Sequence, residues 1–80
     1  MNDDLYYYLI ANCSTITKAT TENLLRGRHG DEKYLLSEEV GKLQSILEIM
    51  ADEGLLDKQT VNRNYLKFGG KYKRELNYDR

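Results

Sequence analysis

The sequence predicts a mainly α domain closed by a C-terminal β-hairpin, with three helices followed by a two-stranded ribbon. Three observations carry that expectation. Apolar residues recur at helical spacing from Val40 through Leu43 and Leu47 to Met50. Glycines stand where helices should stop, at Gly27 and Gly54. Near the end, "NYLKFGGKYKREL" sets Gly69-Gly70 between two runs that mix aromatic and aliphatic residues with lysines, as in a hairpin.

The first helix starts behind Asn2 or Asp3 as N-cap and runs through Leu5-Tyr6-Tyr7-Tyr8-Leu9-Ile10-Ala11. Its apolar surface nearly encircles it: Leu5, Tyr8 and Leu9 form one stripe, and Tyr6 and Ile10 lie on another side with Tyr7 nearby. A small core covers one side of a helix, so Tyr6, Tyr7 and Ile10 are candidates for a dimer or partner interface. The Thr-rich segment that follows reads as a short extended piece at Thr15-Ile16-Thr17. A second helix is then capped near Thr20, runs through Leu24-Leu25 and stops at Gly27. Residues 27–33 read as a polar loop.

Ser37, with Glu38 and Glu39 behind it, is placed to cap the third helix over about residues 38–53. Gly54 ends it, and Leu55-Leu56 returns the chain to the core. In the hairpin, a three-residue loop Phe68-Gly69-Gly70 puts Gly70 at a left-handed bulge position and pairs Leu66 with Tyr72 and Arg63 with Glu75. That register gathers Leu66, Tyr72 and Leu76 on one face and Arg63, Tyr65, Lys67, Lys71 and Lys73 on the other. It also sets Lys67 opposite Lys71, a repulsion that an anionic ligand would relieve.

Eighty residues, 40% hydrophobic and 31% charged, fit one domain over 1–80 with no linker, and so short a chain buries only about 60–65% of its unfolded surface. The lone Cys13 excludes an internal disulfide and reads as a small, buried, inert residue. Neither a leader pattern nor an apolar run of roughly 18 residues is visible, so the expectation is a cytoplasmic protein with no membrane partner. Too few Cys and His residues are present for a zinc site, and no cofactor or metal is called for. His29 has no nucleophile beside it, and the seven tyrosines lack the Arg, His or metal cluster a tyrosine nucleophile needs, so the chain reads as non-enzymatic.

Charge is distributed unevenly. Residues 37–57 carry Glu38, Glu39, Glu48, Asp52, Glu53 and Asp57 against Lys42 alone. Residues 58–80 carry Lys58, Arg63, Lys67, Lys71, Lys73, Arg74 and Arg80 against Glu75 and Asp79. The net charge of −1 therefore hides an acidic helix followed by a basic tail.

"KLQSILEIMADEGLLDK" followed by "YLKFGGKYKREL" resembles the stretch from third helix to wing of winged helix-turn-helix DNA-binding domains, and "LLRGR" ahead of the acidic helix is similar to the winged-helix domain at the C-terminal end of RecQ-type helicases. The resemblance implies a small homodimeric transcriptional regulator or replication accessory on double-stranded DNA, its wing on the backbone and its third helix in the major groove. A chain this short and rich in Asn, Lys and Tyr would suit a virus or mobile element. Candidate nucleic-acid contacts are Arg63, Tyr65, Lys67, Lys71, Lys73 and Arg74 of the wing, Arg26, Arg28 and Lys33 of the loop, and Lys42 and Ser45 at the start of the third helix. The carboxylates of that helix depart from the pattern, because each one near a phosphate opposes binding. Two alternatives stand beside this reading. Wing lysines also protect a sheet edge from aggregation, and the acidic helix with the Tyr-rich first helix would equally serve a protein-interaction adaptor or inhibitor.

Overall fold

The computed structural model describes residues 3–26 and 32–76. The order is α1 (Asp4–Arg26), α2 (Glu32–Asp52) and α3 (Lys58–Glu75), with no strand among the described residues. The expected architecture of three helices plus a two-stranded wing does not hold. Its first two helices are one, and the two-stranded wing is a helix.

α1 passes straight through the segment expected to be extended. Threonine hydroxyls usually draw the backbone away from helix by offering it other hydrogen bonds. Here they bond inside the helix instead: Thr15 donates to the Ala11 carbonyl (3.1 Å), Thr17 to Cys13 (2.9 Å) and Thr21 to Thr17 (2.8 Å). Reading on through the threonines exposes a continuous seam, Leu5, Leu9, Asn12, Ile16, Ala19 and Asn23, at alternating steps of four and three. Gly27, the expected stop, lies outside the described residues.

α2 begins at Glu32, ahead of the expected cap. Ser37 is interior and donates its hydroxyl to the Lys33 carbonyl (2.7 Å). The C-terminus falls where Gly54 placed it. Gly54 has φ 78°, its N–H bonds the Ala51 carbonyl (3.1 Å) and the Leu55 N–H bonds that of Met50 (2.8 Å). That pair of bonds is a Schellman motif, which requires a residue free to adopt the left-handed conformation.

α1 and α2 form an antiparallel αα-hairpin. Tyr8 shares a groove with Ile46, Ala19 one with Leu35, and Asn23 one with Lys33. Among the described residues the most enclosed apolar side chain is Met50, at 2% exposure, and the most enclosed polar one is Asn12, at 6%.

α3 was expected to be the wing. Val61, Tyr65, Phe68, Tyr72 and Leu76 recur at four, three, four and four residues, a helical stripe that a ribbon with its period of two divides between faces. A lone two-stranded ribbon is also marginal in water. In the helix Lys67 and Lys71 are i,i+4 neighbours and still repel, and both ammonium groups lie over the Phe68 ring, 5.5 and 5.9 Å from its centre, a cation–π arrangement that offsets part of that repulsion. Gly69 and Gly70 are absorbed into the helix, and neither takes a positive φ.

α3 hardly packs on the hairpin. Its first turns approach the end of α2, where Leu47, Ala51, Leu56, Val61 and Tyr65 line an open groove of about 430 Å³. The Cα radius of gyration is 15.1 Å, against about 12 Å for a compact domain of this length. The extents of 42 × 28 × 14 Å describe a single layer of helices.

Candidate nucleic-acid interface

At 100° per residue, Arg63, Lys67, Lys71 and Arg74 fall within about 80° of one another around α3, centred about 140° from the apolar stripe. The helix therefore has one cationic side and one apolar side. Lys71 lies 3.9 Å from Glu75, both about half exposed, so solvent screens that pair and leaves most of the charge available. Tyr65 belongs to the apolar stripe and is exposed. Lys73 lies outside the cationic side, beside Leu66.

The other predicted contacts are not brought to this face. Arg26 ends α1, and Lys33 lies in the first turn of α2, its ammonium 5.5 Å from the Tyr34 ring centre. Arg28 lies outside the described residues. This cluster marks the turn end of the hairpin, whereas the chain attaches α3 at the opposite end of α2, about 30 Å of helix away at 1.5 Å per residue.

Lys42 and Ser45 belong to the α1/α2 seam. The Lys42 ammonium donates to Glu39 Oε2 (2.7 Å), and the Asn12 amide donates to both the Glu39 carbonyl (3.0 Å) and its Oε1 (3.2 Å). The hydrogen bond from Lys42 holds the Glu39 carboxyl below its ordinary range, against the opposing push of desolvation and with help from Asn12. The same contact raises Lys42. The Lys42 side chain is 65% exposed, so solvent screens this pair as it does Lys71–Glu75. Ser45 lines the shallow groove beside these groups, with Tyr8, Thr15 and Ile46.

Two features escaped sequence reasoning. The Asn12–Glu39 contact was hidden because the first helix was ended at Ala11, one residue short of it. The apolar stripe of α3 was hidden because Gly69-Gly70 was read as a turn. Tyr6, Tyr7 and Ile10 lie exposed on α1, away from the seam. Cys13, expected to be buried, is exposed.

Among the described residues no three His, Cys, Asp or Glu side chains are grouped to hold a metal, and no helix is long and apolar enough to cross a membrane. Comparison with protein-family models, with curated proteins and with solved structures gave no match to this chain.

Proposed function

We propose that this chain is a small, non-enzymatic nucleic-acid-binding protein acting by occupancy, with the cationic side of α3 laid against the phosphates of a duplex. One observation carries the reading. Arg63, Lys67, Lys71 and Arg74 line one side of an exposed helix, and the carboxylates of residues 38–53 sit on a different helix. The four cations span about 16 Å of helix axis, and a duplex offers one negative charge per about 1.7 Å. A single α-helix fits the major groove. Phosphate contacts by lysine and arginine supply affinity without sequence information, and Asn64 stands at the edge of the same side. Occupancy of this kind would suit a transcriptional regulator or a replication accessory.

Titration of duplex DNA at about 50 and 200 mM salt tests it. Four phosphate contacts give a slope of about −3 to −4 in log K against log salt, a loss of about 100-fold over that range. Lys67→Ala with Lys71→Ala should flatten the slope by about 2. Absence of binding at low salt, or binding indifferent to these substitutions, would overturn the reading. In that event the adaptor reading gains, supported by the exposed Tyr6, Tyr7 and Tyr8 of α1 and the acidic side of α2.

A further inference from the structure

α3 has the least support from its own chain. It is 18 residues long, only a little above the length of about 12–15 residues below which even Ala-rich isolated helices are marginal in water, and two interior glycines weaken it. Its apolar stripe faces solvent: Val61, Tyr65, Tyr72 and Leu76 are each more than half exposed. An amphipathic helix in that position needs something to cover it.

We propose that the cover is a second copy of this chain, the two α3 helices packing antiparallel through Val61, Tyr65, Phe68, Tyr72 and Leu76. The surface area fits. The chain exposes 6932 Å², about 1,900 Å² more than the roughly 5,000 Å² of a compact monomer of its mass. A stable dimer buries about 800 Å² from each partner, so the excess exceeds what one interface needs.

Charge selects the orientation. Four of the six basic residues of α3, Lys67, Lys71, Lys73 and Arg74, lie in its last three turns, and the acids Glu48, Asp52, Glu53 and Asp57 gather around the C-terminus of α2, where α3 begins and where Lys58 meets Asp52 (3.8 Å). Parallel packing would set Lys71 and Lys73, which flank the stripe on either side, beside their own copies. Antiparallel packing carries the basic end of each α3 to the acidic end of the other copy's α2, whose C-terminal dipole also favours cations. The stripe is centred between Phe68 and Gly69, so Val61 meets Leu76 of the second copy and Tyr65 meets Tyr72. Those side chains enter the groove lined by Leu47, Ala51, Val61 and Tyr65. Nothing lies within 4 Å of where a Gly69 Cβ would stand, which allows close approach at the crossing. Arg63, Lys67 and Arg74 lie on the side away from the stripe, so self-association and phosphate binding draw on largely different residues of one helix.

Sedimentation of the full chain across about 1–100 µM, where interfaces of this size associate, should show twice the 9.4 kDa chain mass. Tyr72→Glu should return it to a monomer. Orientation is read by mixing Val61→Cys and Leu76→Cys proteins, each carrying Cys13→Ser, under mild oxidation. A 61–76 cross-link in excess of 61–61 and 76–76 is expected. A wild-type chain monomeric at about 100 µM, same-site cross-links alone, or a monomer that instead partitions onto vesicles of anionic phospholipid would each overturn the proposal.

Discussion

Gly70→Ala separates a helical α3 from a ribbon by the sign of its effect. In the helix Gly70 has no positive φ, and an added Cβ meets only the tip of the Arg74 side chain, at 3.5 Å, an ordinary contact with a movable group. Alanine in place of an interior helix glycine then gains about 0.8–1.0 kcal/mol, a four- to fivefold shift of the local helix–coil equilibrium at about 1.4 kcal/mol per factor of ten. In a ribbon with Gly70 in the left-handed conformation, the same alanine would cost about 1–2 kcal/mol. Because α3 packs so little on α1 and α2, its opening is local. Amide hydrogen exchange over Lys67–Arg74 is therefore the assay of choice. Protection should rise about fourfold in the variant, with a small gain in far-ultraviolet helical signal and little change in the main melt. Faster exchange across these amides, or a loss of helical signal, would refute the helical assignment.

Gly54→Ala should act in the opposite direction, because φ 78° strains any residue with a Cβ. The expected loss is about 1–2 kcal/mol, which in a domain of this size lowers Tm by about 4–15 °C, read by calorimetry. Asn12→Ala removes two donated hydrogen bonds to Glu39 and should cost about 1–3 kcal/mol in chemical denaturation; a neutral result would mean that the buried amide does not hold the α1/α2 register. Glu39 supplies a pH dependence. Its folded pKa is depressed, so its contribution is complete above the unfolded carboxylate range near 4.5 and disappears as pH falls through the lower folded value. Wild type should therefore out-melt Glu39→Gln at neutral pH, and the difference should close in acid. A gap that persists in acid would contradict this assignment.

Particular residues show why some of this could be read in advance. Gly54 ended a helix as expected because its cause is local: one backbone conformation, which glycine adopts without strain. Leu43, Leu47 and Met50, partly or fully enclosed on α2, were legible because a period of 3.6 needs no partner to be recognised, although Val40 of the same pattern is exposed. Thr15-Ile16-Thr17 misled because β propensity is a statement about surroundings, and the hydroxyls found their partners one helical turn back. Gly69-Gly70 misled for a related reason. Paired glycines permit a turn without requiring one, and the stripe from Val61 to Leu76 continues across them.

The candidate site divides in the same way. That the last third of the chain is cationic and residues 37–57 acidic is a property of composition. Which cations share a side was decided by the backbone: as a ribbon, alternation would have put Lys73 with Lys67 and left Arg74 apart, whereas the helix joins Arg74 to Arg63, Lys67 and Lys71 and moves Lys73 away. The sequence by itself determined the charge polarity, the helical α2 and the stop at Gly54, since these depend on residues within a few positions of one another. Only the tertiary structure decided that the Asn12 amide reaches Glu39, that Asn12 is enclosed in the α1/α2 seam and that α3 stands uncovered, because each depends on what a distant segment brings, or fails to bring, to that surface.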